Sequence, residues 1–307
     1  MESNSLINLT LAVLTVGAWG LWLLPAQNLS LPNAQAHTWH VAIANLVITV
    51  GVFAFSDAGW LGWRLGWAPL VGGLIWSAAG WFAYRATQQM GLVRAFGMWA
   101  PINVLVGILW GVLLFGEMRA LKPWGLGGAG IGAVLVMAGI SLVARAKPEE
   151  MASRTTLSGR GWISALWAGV LWGSYFVPTS FISRTHEGVD DVAATLPMAI
   201  GIMIGSTILV LKGGRRPWVS SWPATGRLLF SGALWSLGNW SMLLLVASIG
   251  VARGFTIAQL CVVVNALAGI LILREPEPGS RAARHAIFGI LLALVGAIVL
   301  GAVKESP

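Results

Sequence analysis

Ten stretches of roughly 20 mostly apolar residues run through this chain, parted by short polar segments. They fall at roughly 6–24, 40–58, 67–87, 92–115, 123–144, 162–183, 191–211, 225–247, 251–273 and 284–303. About 20 apolar residues is the length an α-helix needs to cross the hydrocarbon core of a bilayer. The alternating short segments of a transmembrane β-barrel are not visible. The pattern predicts an all-α integral membrane protein with ten transmembrane helices, because in lipid a helix satisfies its own backbone. The longest polar stretch between spans, 145–161, reads RAKPEEMASRTTLSGRG and lies between spans five and six. It divides the chain into a first five-helix unit, 1–150, and a second, 151–307.

The two units echo one another. Residues 73–81 read GLIWSAAGW and residues 232–240 read GALWSLGNW. The offset of 159 continues through Gly91/Gly250, Arg94/Arg253 and Phe96/Phe255. Near the start of each half, Trp19-Gly20…Pro25 matches Trp172-Gly173…Pro178, and near each end Glu117 matches Glu275, one residue out of step. Self-similarity over a fixed interval marks a repeated structural unit. Five spans is an odd number, so two tandem copies enter the membrane from opposite sides. The expected architecture is two inverted five-helix repeats, the usual geometry of alternating access.

Composition agrees with a membrane chain. It is 57% hydrophobic and 10% charged, with a mean hydropathy of +0.78, against about 25% charged residues in soluble proteins. The net charge of +8 reflects basic loops held in the cytoplasm rather than nucleic-acid binding. Thirteen of the 19 Lys and Arg residues fall on one side if the N-terminus is outside, which predicts both termini outside a plasma (inner) membrane. The first span has no preceding basic residue, so it reads as a retained helix and not as a cleaved signal peptide. The single cysteine, Cys261, excludes an intrachain disulfide.

Every Asp, Glu, Lys and Arg lies in a loop or at a span end, which argues against a cation substrate and weakens the case for proton coupling. Glu117 and Glu275 stand at span ends, as interfacial caps or as coupling or gating residues. His37 and His40, three apart, lack the further ligands of a metal site, and no metal or cofactor is expected. No phosphate loop, nucleophile elbow or buried catalytic cluster is present, so the chain does not read as an enzyme. The residues inside the spans are neutral: Asn45, Asn103, Asn239, Gln259 and Asn265. Amides donate and accept hydrogen bonds, which suits uncharged, hydroxyl-rich solutes, or they join helices. Of 18 tryptophans, Trp60, Trp63, Trp67, Trp124, Trp218 and Trp222 sit at span ends as an interfacial belt, whereas Trp76, Trp81, Trp235 and Trp240 lie inside spans three and eight. Trp235 and Asn239 are four apart and share a helix face; Gln259 and Asn265 lie about 120° apart around theirs. Asn239 stands opposite Gly80 in the echo and Gln259 opposite Ala100, so the second half is expected to carry more of the specificity. Pro25 and Pro178 interrupt the first span of each half, as hinges or as helix ends. Small-residue stripes, GLGGAGIGAV from Gly125 and Gly201xxxGly205, allow close packing within the bundle or between the protomers of a homodimer.

Two five-helix repeats resemble the drug/metabolite transporter superfamily. Within it, GALWSLGNW from Gly232, IGVARGF from Ile249 and AQLCVVVNALAGILILRE from Ala258 are similar to the glucose/ribose porter family. The run WGSYFVP at 172–178 fits as well and adds Trp172 and Tyr175 to the candidate solute-binding residues. The resemblance implies inward transport of a sugar, with or without protons, and carries over to Trp235, Asn239, Gln259 and Leu260. Members include bacterial glucose uptake proteins, and the rhamnose–proton symporter is a related protein. The chain has Arg274-Glu275 where relatives often have Gly-Glu. The expected function is a secondary permease for a monosaccharide; the alternative is an exporter of amino acids, nucleosides or other small metabolites on the same fold.

Overall fold

The computed structural model describes all residues except 1, 28, 57, 58, 60, 91, 118–121, 146–158, 187, 188, 190, 215, 220, 275, 276 and 304–307. The described elements are helical: α1 (Glu2–Leu21), α2 (Ala34–Ala54), α3 (Gly62–Met90), α4 (Leu92–Leu113), α5 (Pro123–Arg145), α6 (Gly159–Trp172), α7 (Val177–Thr185), α8 (Asp191–Lys212), α9 (Trp222–Ile249), α10 (Val251–Ala258), α11 (Cys261–Ala268) and α12 (Arg281–Ala302). Among the described residues, nine helices or joined helix pairs are long and apolar enough to cross a membrane. The fourth expected span is present as α4, whose apolar stretch Met98–Leu113 is shorter. The protein is a multi-pass membrane protein. Glu275 and the expected join at 150/151 lie outside the described residues.

Helix starts follow local chemistry. The Asn33 side chain accepts a hydrogen bond from the Ala36 N–H at 2.8 Å and opens α2, and Ser280 does the same for Ala283 at 3.1 Å in α12. Two spans are broken. The sixth breaks between α6 and α7, where Pro178 sits in the first turn of the resumed helix. The ninth breaks at Gln259 and Leu260, between α10 and α11. Pro25 lies in a short 3-10 turn, Leu24–Ala26, after α1 has ended. Both prolines thus lie where a membrane-capable stretch is interrupted, Pro25 in a 3-10 turn near the end of Ser5–Ala26 and Pro178 inside Gly161–Thr185.

Packing joins the two halves. α3 packs on α6 and α8, while α9 packs on α1 and α2; α4 packs on α6 and α10, and α1 on α11; α5 pairs with α12. Glycines set the closest approaches, as expected where no hydrophobic effect drives helices together in lipid. A Cβ on Gly73 would lie 2.5 Å from the Ile202 nitrogen of α8, and one on Gly232 would lie 2.6 Å from the Ala44 Cβ of α2. Gly205 backs onto Ser77, and Gly139 onto Ala293, so these small residues serve packing inside the bundle. Ser77 donates to the Ile202 carbonyl at 2.9 Å, and Ser236 to the Asn45 side-chain oxygen at 3.1 Å, tying the same two seams.

Candidate solute-binding cavity

The two Trp-Ser elements of the echo meet at the centre of the bundle. Trp76 is the middle residue of α3, and Trp235 stands at the middle of α9. Their rings lie 4.6 Å apart, tilted at 56°. The other echoed pair joins them. Trp172 lies 6.4 Å from Trp76, and the Trp19 indole donates to the Trp235 carbonyl at 3.3 Å. Gly238 permits this, since a Cβ there would fall 2.7 Å from the Trp19 Nε1. Trp99 stands edge-on to Trp172 at 5.3 Å.

These rings wall a cavity of about 480 Å³ of empty volume, counting the part that opens outward. Trp22, Phe255 and Cys261 complete the apolar wall; Asn103, Tyr175 and Gln259 supply the polar lining. No lining residue among those described is charged. The breaks in spans six and nine put Tyr175 and Gln259 where helix gives way to turn, at the cavity. The Tyr175 hydroxyl donates to the Asn239 side-chain oxygen at 2.7 Å, leaving the Asn239 amide nitrogen as a donor. The Asn103 amide nitrogen donates instead to the carbonyls of Trp99 at 3.2 Å and Gly169 at 2.5 Å. Among the described residues the Gln259 side chain has no hydrogen-bond partner, and neither does the buried Trp172 Nε1. The cavity therefore offers aromatic faces with a few uncommitted neutral donors and acceptors. That surface fits an uncharged solute with C–H faces and hydroxyls.

The expected residues separate into two sets. Trp76, Asn103, Trp172, Tyr175, Trp235 and Gln259 line the cavity, and Asn239 reaches it through Tyr175. Trp81, Trp240 and Asn265 do not line it. Trp81 lies under the Arg85 guanidinium at 4.6 Å, and Asn265 donates to the Gly20 carbonyl at 3.1 Å, joining α11 to α1. Glu117 caps α10 at one end of the bundle. The Pro25 carbonyl accepts from Arg227 Nε at 2.7 Å. His37 Nε2 lies 2.9 Å from the Ser231 hydroxyl, which donates to the Trp22 carbonyl. Among the described residues no group of three metal-ligating side chains forms. Sequence reasoning missed Trp19, Trp22, Trp99, Phe255 and Cys261. Trp19 and Phe255 carried a signal, since each has an echo in the other half. Trp99 lies one turn from Asn103 on the same face.

A family model described as "Sugar transport protein" matches residues 10–303. A candidate sugar uptake protein of Listeria innocua is 26% identical over 89% of this chain and 91% of its own length. A candidate sugar uptake protein of Streptococcus agalactiae is 27% identical over 97% and 99%. A candidate glucose uptake protein of Priestia megaterium is 25% identical over 97% and 100%. A solved crystal structure shares the fold, with a TM-score of 0.63 at 20% identity over 97% of this chain and 96% of the other.

Proposed function

The chain belongs to the sugar transport protein family, and we propose that it is a secondary carrier that takes up one monosaccharide at a time by alternating access. The family and the names of its relatives are those of transporters rather than enzymes. The observation that carries the reading is the neutral, tryptophan-walled cavity at the middle of α3 and α9. Trp76, Trp172 and Trp235 pack against the C–H faces of a sugar ring, and Gln259, Asn239 and Tyr175 reach its hydroxyls.

Two inverted repeats, 1–150 and 151–307, make ten spans with the cavity at their interface. The packing supports this, because exchanging spans one to five for six to ten turns most of the main helix pairings into other pairings of the bundle. The α3–α8 seam becomes α9–α2, and α3–α6 becomes α9–α1. Both termini face outward, as the Lys and Arg distribution favours. Proton coupling is a separable part of this reading.

Uptake of radiolabelled hexoses, pentoses and deoxyhexoses into proteoliposomes tests this, with and without an inward pH gradient. Saturable, sugar-specific accumulation that the gradient enhances is the expected result. Absence of uptake or competition by any sugar would overturn the sugar assignment. Equal uptake without the gradient would remove the proton alone.

A further inference from the structure

At one end of the bundle a carboxylate holds four segments together. Glu117 follows α4, and its Oε1 accepts the Val251 N–H at 2.6 Å while its Oε2 accepts the Ala252 N–H at 2.8 Å. It thereby caps α10, where free N–H groups and the helix dipole favour negative charge. Arg184, in the last turn of α7, pairs with the same Oε1 at 2.9 Å. Arg184 also donates to the Val246 carbonyl of α9 at 3.3 Å and lies 4.7 Å over the Phe115 ring. Gly250 makes the approach possible. Its φ is +94°, and a Cβ there would stand 3.0 Å from the Glu117 carboxyl carbon.

This cluster sits over a second layer. Phe255, one turn along α10 from Val251, packs on Phe176 at 4.4 Å and 31°. Phe176 lies in the break that leads into α7, the helix carrying Arg184. Phe255 lines the cavity, and so does Gln259 one turn further, roughly 12 Å from the capped end. Glu117 therefore grips both half-helices whose aromatic residues meet between it and the cavity.

We propose that Glu117 is a positioning residue of the transport cycle: its bonds to α10 and Arg184 hold the cavity shut at this end. Each opening of that end breaks them. The proposal rests on the alternating-access reading above. Opening separates α10 from α7, and parts Phe255 from Phe176. Closing re-forms the cap and sets Gln259 in its place at the cavity.

Cys261 supplies the readout. It is the only cysteine of the chain, it is buried, and it lines the cavity. Full-length protein in membranes is treated with an impermeant thiol reagent supplied to one face at a time. Lys122→Cys in a Cys261→Ala background identifies the face that carries Glu117. Glu117→Gln and Arg184→Gln are each expected to raise Cys261 labelling about tenfold, from that face only, since each removes a charged hydrogen bond. Labelling unchanged in the folded variants, raised from both faces, or raised from the opposite face would overturn the proposal. A merely structural role loosens the protein and exposes Cys261 from both sides. If Glu117→Gln does not accumulate, Arg184→Gln, which leaves the α10 cap in place, carries the test. The assay needs no solute, so a wild-type protein that takes up no sugar sinks the sugar assignment, a failure kept apart from that of the cap, which labelling alone reads.

Discussion

At the centre of α3 the chain reads Trp76-Ser77 and then, four residues on from the tryptophan, Gly80; at the centre of α9 it reads Trp235-Ser236 and then Asn239. The tryptophans meet ring to ring, and the serines tie equivalent seams to α8 and α2. The last positions part company. A Cβ on Gly80 would lie 3.3 Å from the Thr38 side chain of α2, whereas Asn239 accepts from Tyr175 beside the cavity. The same division recurs in the broken helices. Spans six and nine, both in the second half, are interrupted at Tyr175 and Gln259 and resume as α-helix, while α1 passes only into a short 3-10 turn and α4 runs unbroken. Frame residues are shared because both halves must solve one packing problem. The amide of Asn239 is not shared: its counterpart Gly80 faces Thr38 instead.

The hardest way to break this comparison is through the frame. Gly73→Leu and Gly232→Leu each drive a side chain into the facing helix, and overpacking of this kind costs about 1–3 kcal/mol or more. Both variants are expected to lose the folded, monodisperse protein, as read by size-exclusion chromatography and thermal melting. If one is tolerated, the two seams are not equivalent. A smaller effect separates the halves at the cavity. Gln259→Ala is expected to raise the KM for sugar uptake about tenfold with melting unchanged, because its amide has no protein partner to lose. Asn103→Ala is expected to do the reverse, lowering stability by about 1–3 kcal/mol while KM moves less, since its amide nitrogen is committed to Trp99 and Gly169. The same KM for both variants would erase the distinction. Tyr175→Phe removes one neutral hydrogen bond, worth about 1 kcal/mol, and should weaken sugar binding roughly fivefold in an equilibrium binding assay. The smallest change lies outside the cavity. Arg274 has φ 55° and ψ 36°, the left-handed region, and glycine there is expected to stabilise the protein by about 1 kcal/mol with uptake unaffected.

Much of the fold was legible beforehand. Hydrophobic run length alone located the membrane helices, because a bilayer imposes a minimum length that chance rarely meets. The echo picked out Trp76 and Trp235, and its other pair, Trp19 and Trp172, proved to stand in the same wall. The candidate site was only partly legible. Trp81, Trp240 and Asn265 share the composition and depth of cavity residues yet do not line the cavity, since helical depth does not reveal helical facing. Trp22 and Cys261 were missed because an apolar residue in an apolar span carries no signal of its own.

Sequence by itself determined that the chain is helical, membrane-spanning, echoed between its halves and uncharged within the spans. Each of these follows from local chemistry: what lipid tolerates, and what a repeated segment repeats. Only the tertiary structure decided which neutral residues are spoken for. Asn103 and Asn265 are spent on backbone carbonyls, while Gln259 is left open to the cavity. The same packing made Glu117 a cap on α10 and a partner of Arg184. The reason is that a hydrogen bond between helices depends on rotation about each axis and on depth in the bundle. Those quantities are set by the closest glycine contacts across the seams, between residues more than a hundred positions apart.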